Sequence, residues 1–151
     1  MNQDPRVVIA GGDHATLSAR ADLLETAGWH VVDATTLEEA LELVRDASQD
    51  LLLVDVPLPD GGARETIENI RAYPTGQRPL LVLLLQRGAR SEERTEALQA
   101  GADDVIIKPI ADRQLLTRLE ALHRVRRETE SHYRELFDDA PIGIYRTTPD
   151  G

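Results

Sequence analysis

The sequence predicts an α/β protein in which five parallel strands form a doubly wound sheet with helices on both faces. Five short apolar runs alternate with five helical patterns along the chain, as they do in proteins built on a parallel sheet. In the run 51–55, four consecutive apolar residues end in a carboxylate. An unbroken apolar run of this length is typical of a central strand buried on both faces. Asp55 therefore falls at the carboxyl end of a central strand, the sheet edge where α/β proteins place their ligands.

The predicted strands and helices follow one another with short connections. Apolar and β-branched runs predict strands at 6–10, 29–34, 51–55, 80–85 and 105–107. Gly28 ends the first helix as a C-terminal glycine does. Thr36 and Glu39 have the spacing of a capping box at the start of the second helix. The fifth helix is predicted to begin near Arg113, with Asp112 as its capping residue.

Charge and composition exclude several classes of protein. The chain has 151 residues, a formal net charge of −10 and no cysteine. The negative charge argues against a nucleic-acid or anionic-membrane binder, which needs a basic surface. The absence of cysteine excludes disulfides and thiolate metal sites. No apolar run reaches the roughly 18 residues of a membrane span, and no signal region is present. We therefore expect a soluble, cytoplasmic protein with no nucleic-acid or membrane partner.

The fifth helix is predicted to continue well past the sheet, over 113–137, because no glycine or proline interrupts it. Seven positions alternate by four and three residues, the spacing of a coiled-coil seam; they are Leu115, Leu119, Leu122, Arg126, Thr129, Tyr133 and Leu136. The polar residues in the middle leave two interpretations open. The helix either pairs with a second copy in a parallel homodimer, which we favour slightly, or folds back on its own domain.

Four features together resemble the receiver domain of two-component response regulators. They are the strand ending in Asp55, the loop 58–61 (Leu-Pro-Asp-Gly), the segment 101–104 (Gly-Ala-Asp-Asp) and the pair Lys108-Pro109. The resemblance covers residues 6–123. It implies a flavodoxin-like fold with strand order 2-1-3-4-5 and a cis peptide bond before Pro109.

The end of the chain resembles a second family. Residues 134–151 are similar to the opening of a PAS domain. The predicted organisation is a receiver domain at 6–123, an extended signalling helix at 113–137 and the truncated start of a PAS domain at 138–151. This order resembles the front of a sensor histidine kinase or of a cyclic-dinucleotide signalling protein. We therefore expect the sequence to be a piece of a longer protein.

The resemblance assigns roles to two residues that are present. Asp55 stands at the position of the aspartate that accepts a phosphoryl group from the phosphohistidine of a partner kinase. That reaction is attack by a carboxylate on phosphorus, with negative charge building up on the transferred oxygens. Lys108 stands at the position of the lysine that pairs with those oxygens. The family's reaction also needs a divalent cation, held by an acidic pair after the first strand and by the phosphoacceptor itself.

Four positions depart from the family pattern. Gly11 and Gly12 replace the acidic pair that holds Mg²⁺. If Gly88 is aligned with the family's loop, Leu85 replaces the Ser or Thr that donates a hydrogen bond to the phosphoryl group. Val105 replaces the aromatic switch residue. These substitutions predict a degenerate receiver with no cofactor and no tight metal site.

Any residual metal site would have to use Asp13 and Asp55, and we expect Asp13 to leave the strand end in the wrong direction. Asp55 and Lys108 would then form an ion pair. Restoring an acidic pair at positions 11 and 12 is expected to raise Mg²⁺ affinity. A Leu85→Thr change is expected to supply the missing donor.

Three functions are compatible with these residues, in order of preference. The first is a non-enzymatic regulatory module, the N-terminal part of a receiver–PAS sensor kinase, that binds a histidine kinase, a phosphotransfer protein or a second copy of itself. The second is a working phosphoacceptor that uses Mg²⁺ and Asp55. The third is a small flavodoxin-like enzyme or nucleotide binder, since fold alone does not determine function.

Overall fold

Five strands and five helices alternate along the chain of this computed structural model, which describes residues 4–73 and 78–139, with side chains described as far as residue 129. The elements are β1 (Arg6–Ala10), α1 (His14–Thr26), β2 (His30–Ala34), α2 (Leu37–Asp46), β3 (Leu51–Asp55), α3 (Ala63–Arg71), β4 (Leu80–Leu85), α4 (Ser91–Ala100), β5 (Asp104–Ile107) and α5 (Asp112–Asp139). They match the predicted elements to within a few residues at each end.

The five strands form one parallel sheet in the order β2-β1-β3-β4-β5. This confirms the predicted flavodoxin-like α/β fold. Every residue of β3 is buried, which is why its sequence is apolar without alternation. β3 is central, so Asp55 lies in the middle of the carboxyl edge, beside Leu84 of β4.

Side chains alternate between the two faces of the sheet, and one face carries a large aliphatic core. On that face, residues of β1, β3, β4 and β5 pack with the apolar sides of α2, α3 and α4. The spacing of Ala40, Leu41 and Val44 on α2, and of Ile67 and Ile70 on α3, buries one stripe of each helix. α1 packs against β1 and β2 and buries Leu17 and Leu24.

Helix α5 belongs to two compact units. The first unit, residues 1–116, contains the whole sheet, and the second, residues 117–151, begins within α5. The helix is continuous from Asp112 to Asp139, as its lack of glycine and proline predicts. Leu115 and Leu119 of the predicted seam are buried within the single chain, whereas Val125 is 56% exposed. The predicted PAS segment lies, from residue 140 onward, outside the described residues.

Four carboxylates bind main-chain N–H groups at the starts of helices. Asp13 accepts from Thr16 at the start of α1, and Asp60 accepts from Leu37 at the start of α2. Glu39 and Glu65 accept from the main chain just before the first turns of α2 and α3. In each case a main-chain N–H is the largest cause of a lowered pKa, because it stabilises the charged carboxylate.

These shifts predict a loss of stability in acid. The ordinary pKa values are 3.8 for Asp and 4.5 for Glu, and the folded values are lower, so the unfolded chain binds protons first as the pH falls. The contribution of these groups is complete above about pH 5 and is lost as the pH falls through the folded pKa values. The urea midpoint should therefore fall between pH 6 and pH 3. An Asp60→Asn variant should show a shallower fall over that range, and an unchanged slope would contradict the role of Asp60.

No helix among the described residues is long and apolar enough to cross a membrane.

Candidate functional site

Asp55 is the last residue of β3 and, in the described part of the chain, the only charged residue that is buried. Only 5% of its surface is exposed. The apolar run that precedes it fixes β3 in the centre of the sheet, and this leaves the carboxylate at the edge but out of solvent. A buried carboxylate is strongly unfavourable unless it is paired with cations or hydrogen-bond donors. The atoms around Asp55 therefore determine what the site can do.

Lys108 provides the first of these partners. Its Nζ donates to Asp55 Oδ1 at 2.8 Å and to Oδ2 at 3.1 Å. Lys108 follows the last strand, and its main-chain N–H bonds to the carbonyl of Leu85 at 3.0 Å, which fixes the start of the side chain. The peptide bonds Lys108–Pro109 and Val56–Pro57 are both cis, and the first of these was predicted. The structure thus brings Asp55 and Lys108 together at the sheet edge.

Arg20 is the second partner, and sequence reasoning did not identify it. Its Nη1 donates to Asp55 Oδ2 at 3.0 Å, and only 12% of the Arg20 side chain is exposed. α1 starts directly after β1, which is the neighbour of β3, so its first two turns pass over the end of the sheet. One feature of the sequence could have indicated this role: Arg20 is the only arginine or lysine in the helix that starts beside the predicted site.

Gly11 and Gly12 hold a backbone shape that other residues adopt at a cost. Their φ angles are +90° and +87°, a region that favours glycine. A Cβ atom on Gly11 would collide with the main-chain oxygen of Asp55 and approach Leu58 Cδ2 to 2.8 Å. An aspartate at position 11 would therefore need a change in the backbone of the loop as well as a new side chain. That an acidic pair at these positions raises Mg²⁺ affinity stays a prediction, and at position 11 the new side chain would first have to overcome this collision.

Asp13 does not serve the carboxyl edge as a substitute ligand. It is the N-cap of α1, and its Oδ1 accepts the N–H of Thr16 at 2.7 Å. No group of three or more His, Cys, Asp or Glu side chains suited to a metal occurs among the described residues. Mg²⁺ requires several oxygen ligands in near-ideal geometry. Here a single carboxylate is available, and both of its oxygens already accept bonds from cationic side chains. The residues present do not fit the metal that the receiver resemblance implies.

Leu85 and Val105 both lie in the aliphatic core of the domain. Both are members of the cluster on the α2–α4 face, with exposures of 7% and 0%. Val54 belongs to that cluster. Asp55 is the next residue of β3, so its side chain points to the opposite face of the sheet. A Leu85→Thr change would accordingly place a hydroxyl among apolar side chains, at a cost in packing and desolvation. That the new hydroxyl supplies the missing donor stays a prediction.

The loop after β3 is tied to the next layer of the fold. Leu58 and Gly61 pair across a tight turn, with main-chain bonds of 2.8 and 3.2 Å. Between them, Asp60 accepts from the N–H groups of Leu37 and Glu38 at 2.7 and 3.1 Å. The Leu-Pro-Asp-Gly loop thus caps α2 and is held in one position next to Asp55.

Comparison with proteins of known family agrees with this architecture. The chain is 35% identical over 130 residues to the transcriptional regulatory protein CpxR of Escherichia coli (strain K12), covering 86% of this chain and 52% of that protein. It is 35% identical over 113 residues to the sensor protein GacS of Pseudomonas syringae pv. syringae, covering 74% of this chain and 12% of that protein. The chain therefore spans about half of the length of CpxR.

Solved structures show the same fold. A CheY-like response regulator receiver domain protein from Methanospirillum hungatei JF-1 superposes with a TM-score of 0.76 at 28% identity, covering 84% of this chain and 99% of that one. Residues 7–120 match the family model of the response regulator receiver domain. On these grounds, together with the sheet order and the position of Asp55, the chain belongs to the response regulator receiver family.

Proposed function

We propose that this chain is a regulatory receiver module that acts through protein–protein contacts and does not take part in phosphoryl transfer. The observation that carries the proposal is the state of Asp55. Both carboxylate oxygens accept bonds from cationic side chains, Lys108 and Arg20, and these contacts stabilise the anion and make its oxygens weaker nucleophiles. The module has no enzymatic activity of its own, and the family assignment favours it over a small flavodoxin-like enzyme.

Electrostatics supports the loss of phosphorylation. A phosphoryl group would add about −1.5 to −2 charge at neutral pH, in a chain whose formal net charge is already −10. In receivers of the usual type the divalent cation offsets much of that charge. Here Gly11 and Gly12 supply no ligands to hold one, and Asp13 is engaged as a helix cap.

The family assignment supports a proposal for the partner and the setting. We infer a cytoplasmic protein whose receiver binds a histidine kinase, a phosphotransfer protein or a second copy of itself. GacS, the sensor protein to which this chain is similar over 12% of that protein's length, supports a receiver embedded in a longer sensor. The resemblance of residues 134–151 to a PAS domain supports a receiver–PAS order, with α5 as the connecting helix.

Intact-mass spectrometry after incubation with acetyl phosphate and Mg²⁺ tests the proposal. We expect no gain of a phosphate by the wild-type chain, because Asp55 is held by two cations and no metal is bound. An Asp55→Asn variant serves as the matched control, and a receiver with an intact acidic pair, treated in parallel, shows that the reagents work. A phosphate on the wild type, mapped to Asp55 and absent from Asp55→Asn, would overturn the proposal in favour of the working phosphoacceptor.

We further propose that the chain forms a parallel homodimer through the helix 113–137. The continuity of α5 to Asp139 and the exposure of Val125 support this arrangement, since an exposed apolar residue on a long helix gains by burial against a partner. Because Leu115 and Leu119 are already buried, the pairing uses the later part of the helix.

Light scattering over a concentration series is expected to show a dimer. Val125 lies next to the seam position Arg126, at the edge of the proposed interface, so a Val125→Glu change should shift the monomer–dimer midpoint to about threefold higher concentration or more. The same change at Val32, which is 38% exposed on the edge strand β2, should leave the midpoint unchanged. A wild-type monomer at high concentration would contradict the dimer.

A further inference from the structure

The Asp55 site contains one carboxylate and two cationic groups, all partly or wholly shielded from water. The side-chain exposures are 6% for Asp55, 12% for Arg20 and 31% for Lys108. Each cation is nearest to a different oxygen of the carboxylate. Lys108 Nζ lies 2.8 Å from Oδ1, and Arg20 Nη1 lies 3.0 Å from Oδ2. Lys108 is expected from the family pattern. Arg20 is an additional, largely shielded positive charge at the position where the carboxylate would otherwise need another cation.

Arginine can fill this position without any further acidic residues. A guanidinium keeps its charge at all physiological pH values and presents fixed N–H donors that match a carboxylate. A divalent cation, in contrast, has to be held by several oxygen ligands. An internal cation attached to α1 therefore makes an acidic pair after β1 unnecessary. It also makes such a pair unfavourable to keep, since each extra buried carboxylate would need its own partner.

The position of Gly12 is consistent with an arginine in place of the divalent cation. A Cβ atom at this position would lie 3.5 Å from Asp55 Oδ2 and 3.6 Å from Arg20 Nη1. A larger side chain there would thus extend into the space around the ion pair. The glycine leaves the guanidinium a direct path from α1 to the carboxylate.

We propose that Arg20 is a built-in counter-ion that takes over the charge-compensating role of the divalent cation, so that Asp55 is held permanently in an ion-paired state. Asp55 is then a structural anion, and the conformation of the module is independent of Mg²⁺. This inference rests on the proposed function and deepens it by assigning the control of the same site to a residue of α1. Arg20 acts here as a positioning residue for Asp55.

A double-mutant cycle between Arg20 and Asp55 tests the inference in the full chain. The proteins are wild type, Arg20→Met, Asp55→Asn and the double variant, unfolded in urea with the fluorescence of Trp29, the single tryptophan, as the probe. Arg20→Met should raise the unfolding equilibrium constant about tenfold or more, and the same change in the Asp55→Asn background should alter it by less than about threefold. Arg20→Lys should recover part of the loss. A control change, Arg45→Met on the exposed side of α2, should alter the constant by less than about twofold.

Two results would overturn the inference. Equal losses from Arg20→Met in both backgrounds would show that Arg20 acts by packing alone. An increase in wild-type stability when 10 mM Mg²⁺ replaces EDTA, abolished by Asp55→Asn, would show that a metal still occupies the site. The proposed function fails separately, by phosphorylation of Asp55 in the mass measurement. If the chain stays unphosphorylated and the cycle shows no coupling between Arg20 and Asp55, the proposed function stands and only the role of Arg20 is refuted.

Discussion

Replacing Asp55 with alanine is expected to destabilise the folded protein by about 3 kcal/mol, because it leaves two shielded cations without their common partner. Arg20 and Lys108 have no other hydrogen bond to a side chain among the interactions that the structure shows for them. The sign of the effect is informative. In a site built from several neighbouring carboxylates, removal of one relieves repulsion between like charges. Here the carboxylate is outnumbered by cations, so its removal creates repulsion.

Urea unfolding at pH 7, in the presence of EDTA, measures this effect. Asp46→Ala is the matched control, since Asp46 is exposed at the end of α2 and its loss should change stability by less than about 0.5 kcal/mol. An Asp55→Leu variant should also be destabilised, which separates the loss of charge from the loss of side-chain volume. Unchanged or increased stability of Asp55→Ala would contradict the ion-paired site.

The sequence was sufficient to predict the fold because its signals are local and repeated. The unbroken apolar run 51–55 indicates a central parallel strand, and each helix carries its own periodicity or cap. The contact between Asp55 and Lys108 could be predicted from the sequence because both residues lie at the ends of strands. The carboxyl ends of parallel strands share one edge of the sheet. Their positions depend on backbone topology alone.

The rest of the site depends on information that single positions in a sequence do not carry. A basic residue inside a helix is usually solvent-exposed, so Arg20 could be identified only once the direction of α1 over the sheet edge was known. The positive φ angles of Gly11 and Gly12 depend on the path of the loop, which the residue type permits but does not specify. The apolar setting of Leu85 likewise depends on which face of β4 it occupies at the strand end.

Replacing Gly11 with aspartate is expected to cost about 4 kcal/mol. About half of this arises from a positive φ angle at a residue with a Cβ atom, and the other half from overpacking against the main-chain oxygen of Asp55 and the side chain of Leu58. The backbone oxygen belongs to the central strand, so it cannot move aside as the end of a flexible side chain can. Gly11 is also buried, which adds the cost of placing a new charge there.

Gly88→Asp is the control that separates the two causes. Gly88 has nearly the same φ angle, +92°, but a Cβ atom there would meet nothing within 4 Å. Its replacement should therefore lower the stability only through the backbone strain of a positive φ angle, by about 1–2 kcal/mol. The difference between the two variants in urea unfolding measures the clash at the sheet edge. If Gly11→Asp were as stable as Gly88→Asp and also gained Mg²⁺-dependent stability, the loop would be able to return to a metal-binding shape. A larger loss at Gly11 with no response to Mg²⁺ means instead that the loop backbone has to change before any acidic pair can hold a cation beside Asp55.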